Sequence, residues 1–361
     1  MTTNPGRFAK PEVRAVSAYH LEPRDTPIKL NQNENAEGFP HALKEEIWQR
    51  VAGRDWARYP DFHLREITQR LAAHADVPED WVLVGNGSNE LLQMTLLTVV
   101  GRGDQIIVPL PTFTLYRLQS VVMGAMAHTP LMRAETNFAF PVDEVIDLAQ
   151  RHDARAIVMC SPNNPTGTAY AEADIRRVIE ATPGLVLLDE AYREFNRQDL
   201  CHLVRDYDNV VIFRTFSKAL AMAGVRVGYC IARPEMAAEI GKVKLPYALN
   251  ILSEAVTLVS LDHPELFAPT IDTAIQQRDR LLIELPRLPG LTVYPSAANF
   301  VLVHVAQGSD RAFQRLLSDG ILVRDVSHYP GLSDHLRLSV GTAAENDALL
   351  ESLSHFTRHP G

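Results

Sequence analysis

A chain of 361 residues with 46% hydrophobic and 22% charged content has the material for one large domain and a smaller one, each around a buried core. Its formal net charge of −9, with Lys and Arg scattered and no basic run, argues against nucleic acid or an anionic membrane as a partner. The start, MTTNPGRFAK, lacks the apolar core of a signal peptide, and no apolar run approaches the ~18 residues of a membrane span. The cysteines Cys160, Cys201 and Cys230 are far apart and lack metal-ligand spacing, so a cytoplasmic protein with reduced thiols is expected.

In chain order, WVLVGN (81–86), QIIVPL (105–110), AIVMCS (156–161), LVLLDE (185–190), VVIFRT (210–215) and VGYCIA (227–232) read as buried strands. Helix-length segments lie between them: Asn89 to Val100, Leu115 to Met123, Ala171 to Glu180 and a stretch around Leu200 to Tyr207. The alternation predicts an α/β fold, a large domain with a mainly parallel sheet flanked by helices. After Pro246 one long helical region is predicted as far as about Leu288. LTVYPSAANFVLVHV (291–305), GILVRDV (320–326) and HLRLSVG (335–341) then read as strands of a smaller α/β domain, closed by a helix over 343–356. The expected division is an N-terminal arm and part of the small domain in 1–50, the large domain in 51–250, and a linker helix with the C-terminal small domain in 251–361.

Ligands of open α/β sheets gather at the carboxyl ends of the strands. There the chain carries Gly87-Ser88-Asn89, Asn164, Asp189 with Tyr192, Ser217-Lys218 and Arg226. Singly, each has an ordinary use: Asp189 can cap a helix, Asn164 can turn the chain with Pro165, and a lone Lys or Arg is usually solvated. Together they supply an anion cup at a helix start, a carboxylate, a phenol, an amide and a lysine. That set suits a phosphorylated, protonated heteroaromatic aldehyde, and pyridoxal 5'-phosphate meets each requirement. Its aldehyde takes Lys218 as a Schiff base, which needs an amine that is desolvated or beside a cation such as Arg226. Its ring nitrogen calls for a buried carboxylate, Asp189, and its ring oxygen for Tyr192 and Asn164. Its phosphate calls for Ser217, Arg226 and the amides of Gly87 to Asn89. Other signals lead nowhere. GNGSNE (85–90) has Glu90 where a dinucleotide fingerprint needs its third glycine, RGD (102–104) reads as a turn, and the thirteen histidines form no HExxH, so no metal site is expected.

The segments ARYPD (57–61), VLVGNGSNELL (82–92), PTFTLY (111–116), SPNNPTG (161–167), LLDEAYREF (187–195), RTFSKALAMAGVRVGY (214–229), KLPYALN (244–250), SAANFVLV (296–303), GILVRD (320–325) and LRLSVGTAAEN (336–346) span nearly the whole chain. In that order the sequence resembles the fold-type I aminotransferases, and within them the histidinol-phosphate aminotransferase family. The resemblance implies Lys218 as the Schiff-base lysine, Asp189 at the pyridine nitrogen, and Tyr192 and Asn164 at the ring oxygen. It implies Phe113 stacked on the ring, Ala191 under its other face, and Ser88, Ser217 and Arg226 at the phosphate. Arg337 matches the arginine that grips the substrate α-carboxylate, and Tyr59 the tyrosine that reaches the partner subunit's phosphate in a homodimer. Arg324 is expected to meet the anionic far end of the substrate, and Asn35 is a further candidate substrate contact. The implied reaction is amino transfer in two stages, histidinol phosphate with imidazole-acetol phosphate as one couple and glutamate with 2-oxoglutarate as the other, in histidine biosynthesis. The arm NQNENAEGFP (31–40) departs from the family by placing Ala36 where a proline is common. Aromatic aminotransferases and threonine-phosphate decarboxylase share the cofactor site and stay open as alternatives. A pyridoxal-phosphate-binding sensor would need an extra DNA-binding domain, for which a resemblance starting near Leu30 is expected to leave no room.

Overall fold

The computed structural model describes residues 5–18 and 23–358. Strand β1 (Ile28–Leu30) comes first in the chain. Then β2 (Val82–Gly85), β3 (Gln105–Ile107), β4 (Met126–His128), β5 (Ala156–Cys160), β6 (Leu185–Asp189), β7 (Val210–Thr215) and β8 (Gly228–Ile231) form a seven-stranded sheet in the order β2-β8-β7-β6-β5-β3-β4. All pairings from β7 to β4 are parallel, and β8 runs antiparallel to both its neighbours. Every residue of β5, β6 and β7 is buried, as helices on both faces require of a parallel sheet. Alternation sends Ile157, Met159, Val186 and Leu188 into one apolar layer and Ala156, Val158, Leu185 and Leu187 into the other.

The orientation of β8 follows from its connection. Residues 216–227 return without an intervening helix, whereas parallel crossovers usually carry one. This return loop holds Ser217, Lys218 and Arg226, so all three sit at the carboxyl end of β7.

β9 (Leu291–Val293), β10 (Phe300–Val305), β11 (Ile321–Asp325) and β12 (His335–Ser339) join β1 in a second sheet, ordered β1-β11-β12-β10-β9. Here β1 is parallel to β11, and the other pairs are antiparallel. Val301, Val303, Leu336 and Leu338 face a core shared with Leu281, Leu349 and Leu353. By alternation Arg337 and Ser339 face the opposite side, toward the large sheet.

Several elements differ from the sequence reading. The edge strand β4 and the helices Leu43–Ala52, Arg65–Ala75, Val142–Arg151 and Ser309–Ser318 were not anticipated. The single long helix expected after Pro246 is two, Ile251–Asp262 and Ala268–Glu284. They break at His263-Pro264, where proline lacks the N–H to continue. The stretch around Leu200 to Tyr207 yields only a four-residue helix, Leu203–Asp206. No helix among the described residues is long and apolar enough to cross a membrane.

Candidate active site

A cavity of about 540 Å³ opens where the carboxyl ends of β5, β6 and β7 meet residues 31–34 and the inward faces of β11 and β12. Lys218 enters it from the loop after β7, and its Nζ donates to the Gln32 carbonyl at 2.8 Å. Burial brings the amine from 10.5 down to about 8, Arg337 and Arg226 push the same way, and Glu34 opposes them. The sequence reading named Arg226 as the cation beside the lysine; Arg337 precedes it in effect. A shift of that size raises the neutral, nucleophilic fraction at pH 7 by roughly two powers of ten.

Asp189 ends β6 and is 3% exposed. Its Oδ2 accepts from the Tyr116 hydroxyl at 2.7 Å and its Oδ1 from the Ala191 N–H at 3.0 Å. Burial pushes the carboxyl up to about 6 against both bonds. The capping use weighed for Asp189 is not seen: the helix that follows, Arg193–Asn196, has Tyr192 at its N-cap with no side-chain cap bond, and the Ala191 contact is a local turn after β6. Glu190 is no substitute cap: its Oε2 receives Arg214 Nε at 2.8 Å, and both side chains are almost fully buried. Tyr116 was missed. It lies on the helix Thr114–Val122, three residues after Phe113, which is that helix's non-helical N-cap, so helix periodicity in PTFTLY did not point to it. The two rings meet edge to face at 5.5 Å.

The anion cup forms between the start of the helix Ser88–Val99 and the return loop. At Gly87, φ is +87° and a Cβ would stand 2.4 Å from Arg226 Nη2, so only glycine lets the guanidinium sit at the helix start. A Cβ at Gly228 would stand 2.2 Å from the Ser88 nitrogen, so glycine there lets β8 pack against the same turn. Arg226 Nη1 donates to Ser217 Oγ at 3.2 Å, and Thr215 Oγ1, which the sequence reading did not include, donates to that oxygen at 2.9 Å. Ser88 and Asn89 line the cavity beside them. Glu90, which spoils the dinucleotide pattern, accepts from the Asn86 N–H at 2.6 Å.

On the facing side Arg337 donates from Nη1 to Asn164 Oδ1 and from Nη2 to the Asn31 carbonyl, both at 2.6 Å. Its guanidinium lies 5.4 Å from the Phe300 ring centre. Arg324 stands opposite Arg337 in the β11–β12 register and also lines the cavity, as do Phe113 and Ala191. The Tyr192 hydroxyl accepts from Asn33 Nδ2 at 3.0 Å.

Tyr59, expected at a partner subunit's phosphate, and Asn35, expected at the substrate, do not line this cavity. Tyr59 is 79% exposed and stacks on Tyr247 at 4.3 Å, outside this cavity. The Asn35 amide donates to the Ala219 carbonyl at 3.0 Å and to Thr270 Oγ1 at 3.3 Å, tying the arm to the helix Ala268–Glu284. The arm instead reaches the cavity through the carbonyls of Asn31 and Gln32 and the side chain of Asn33. The donor set fits pyridoxal 5'-phosphate: an arginine at a helix start for its phosphate, a buried carboxyl, and an amine held well below the ordinary lysine range.

Comparison with known proteins agrees with this geometry. The family model for aminotransferase class I and II matches residues 25–353. A histidinol-phosphate aminotransferase of Chlorobium phaeovibrioides is 39% identical over 350 residues, covering 96% of each chain. One of Chlorobaculum tepidum is 36% identical over 346 residues, 95% of this chain and 98% of its own. In fold, the chain superposes on the histidinol-phosphate aminotransferase of Sinorhizobium meliloti in complex with pyridoxal-5'-phosphate with a TM-score of 0.87, 24% identity and full coverage of both. The chain thus belongs to the class I and II aminotransferases, in the histidinol-phosphate aminotransferase family, and is a pyridoxal-phosphate-dependent transaminase of the fold-type I architecture.

Proposed function

We propose that this chain moves an amino group between histidinol phosphate and 2-oxoglutarate, in histidine biosynthesis. The observation that carries this reading is the second arginine: Arg324 stands in register with Arg337 across β11 and β12, both on the cavity that holds Lys218. Glutamate presents two carboxylates, whereas histidinol phosphate presents a phosphate and no carboxylate. An enzyme alternating between them gains from two cationic anchors, and guanidinium groups match both anions.

The residues divide the work as follows. Pyridoxal phosphate, when bound, supplies an electron sink for the charge left as the α-carbon loses its proton. Gly87, Ser88, Asn89, Ser217 and Arg226 hold its phosphate, while Phe113 and Ala191 flank its ring. Asp189 is mostly ionised at neutral pH and keeps a proton on the ring nitrogen, because a buried carboxylate facing a cation favours that charge pair. Tyr192 and Asn164 meet the ring oxygen. Lys218 Nζ carries the proton that leaves the substrate α-carbon, a base whose lowered pKa of about 8 matches neutral pH. Arg337 takes the α-carboxylate and Arg324 the distal anion.

The exposed aromatic side chains Trp48, Trp56, Tyr59 and Phe62 make an apolar surface suited to a second copy of the chain. The assembly in this reading is a homodimer in the cytoplasm, with Tyr59 reaching the partner's phosphate cup. The deciding experiment is a half-reaction screen: the loaded protein is mixed with histidinol phosphate, glutamate or phenylalanine while the visible cofactor band is followed. The band should vanish with the first two. Loss with phenylalanine and not with histidinol phosphate would replace this reading by an aromatic aminotransferase.

A further inference from the structure

The side chain next to Tyr192 has a role beyond filling space. Asn33 is 1% exposed and uses all its hydrogen-bonding groups on distant partners. Its main-chain N–H donates to Ser339 Oγ at 2.9 Å, and its carbonyl accepts from Asn299 Nδ2 at 3.1 Å. Ser339 has one hydroxyl proton, given to Asn33 Oδ1 at 2.8 Å. With Oδ1 committed, the amide nitrogen faces Tyr192, at 3.0 Å from its oxygen. An amide nitrogen only donates, so the phenol oxygen accepts from Asn33, and its own proton must point elsewhere. Tyr192 is itself buried, packs edge-on against Phe300 at 5.1 Å and lines the cavity.

We propose that Asn33 is a positioning residue: anchored by Ser339, its amide forces Tyr192 to turn its single proton into the cavity, toward the ring oxygen of pyridoxal phosphate. This rests on the reading of Tyr192 as the partner of that oxygen. The anchor is well placed for the task, since Ser339 lies two residues beyond Arg337 on β12 and shares its face. Polarity is set on a rigid strand and delivered to a phenol on the large domain.

The proposal separates from a purely structural role because it predicts a spectroscopic change. Donation by Tyr192 stabilises the anionic form of the ring oxygen, which lowers the pH at which the visible band of the bound cofactor changes. Asn33 has φ +55°, a conformation that glycine and aspartate also adopt, so the backbone tolerates both replacements. Asn33→Gly removes the amide and should raise the midpoint by about 0.5 pH units, the scale of one neutral hydrogen bond. Asn33→Asp puts an acceptor where the donor stood, draws the phenol proton back and should raise it further. Tyr192→Phe should raise it at least as much, and Asn33→Gly should add nothing in that background. Ser339→Ala, which frees the amide to turn, should shift the midpoint in the same direction if either Asn33 variant fails to fold.

An Asn33→Gly protein with the wild-type midpoint, beside a Tyr192→Phe protein with a raised one, would overturn the proposal and leave Asn33 a packing residue. An equal shift from Asn33→Gly with and without Tyr192 would also overturn it, since the effect would not pass through the phenol. A Tyr192→Phe midpoint equal to wild type would overturn the reading of Tyr192, and the proposal with it.

Discussion

Two regions meet on the cavity, and they are built differently. The strand-end platform carries Asp189 and Lys218 on β6 and just after β7, strands with every residue buried, and Asp189 takes its main-chain bond from Ala191, two residues on. The strap, residues 31–35, has little regular structure of its own and acts across the chain. Gln32 meets Lys218 from 186 positions away, while Asn31 meets Arg337 and Asn33 meets Ser339 from 306. A platform held by packed strands fixes the chemistry for any substrate. A strap that bonds both the lysine and β12 instead tunes that chemistry and joins it to substrate choice. Platform substitutions should therefore abolish turnover without discrimination, and substitutions around the strap and β11–β12 should discriminate.

The largest effect belongs to Lys218→Ala. It should lose the visible band of lysine-bound cofactor and all measurable turnover with every amine, while unfolding cooperatively near the wild-type temperature. A variant that kept both the band and the wild-type rate would remove Lys218 from the platform. Asp189→Asn comes next. It should retain cofactor through the phosphate cup, yet slow α-proton removal on the order of 10²–10³-fold, because a neutral amide cannot hold the ring nitrogen protonated. Single-turnover rates measure this directly, and a near-normal rate would contradict the assignment.

The platform also predicts a stability effect in the cofactor-free protein. Lys218 has a folded pKa of about 8 against 10.5 for an ordinary lysine, because burial disfavours its charge. Below pH 8 both folded and unfolded chains carry the proton, and the folded one bears the full penalty. Between 8 and 10.5 the unfolded chain binds a proton that the folded chain has released, so stability rises with pH through that window. Above 10.5 the penalty is gone. Its size is at most about 3 kcal/mol and less where solvent reaches the half-buried side chain. Denaturant titrations from pH 7 to 10.5 should show wild type gaining on Lys218→Met, which lacks the group; parallel curves would mean that the amine is not desolvated.

The same contrast decides how far the sequence could be read. Strands β5, β6 and β7 were legible because full burial writes itself as an apolar run, and Asp189 and Lys218 because carboxylate and amine are chemistry-bearing types at strand ends. The helices Leu43–Ala52 and Val142–Arg151 were less visible, since each buries only a few residues amid charged ones. Pro264 stands at the break between the two helices after Pro246, a signal that the expectation of a single helix passed over. The carbonyls of Asn31 and Gln32 could not have been read at all, because every residue has one and only the fold aims it. Asn33 and Tyr116 needed the partners that orient them. Asn35 drew attention by its type, whereas its amide holds the arm to Ala219 and Thr270.

The smallest predicted effect is the most discriminating. Arg324 and Arg337 face each other across β11 and β12, but their surroundings differ. Arg337 is 8% exposed and held by Asn164 and the Asn31 carbonyl, the fixed geometry that a shared α-carboxylate site requires. Arg324 is only half-buried and also borders a second cavity of about 1000 Å³, lined in part by Arg24, Arg117 and His328. An anion at the far end of a substrate would meet it there, whereas the neutral ring of phenylalanine would not. Arg324→Ala should therefore lower kcat/KM for histidinol phosphate more than for phenylalanine, by about 1.5–3 kcal/mol if the contact is a charge-assisted hydrogen bond. The matching Arg337→Ala should weaken glutamate and phenylalanine together, since both present an α-carboxylate. Equal losses for both substrates in Arg324→Ala, or a wild type that does not accept histidinol phosphate, would erase the distinction between the two arginines. The aromatic aminotransferase reading would then take its place, because an arginine that does not sort substrates by their far charge gives no reason to expect a phosphate there.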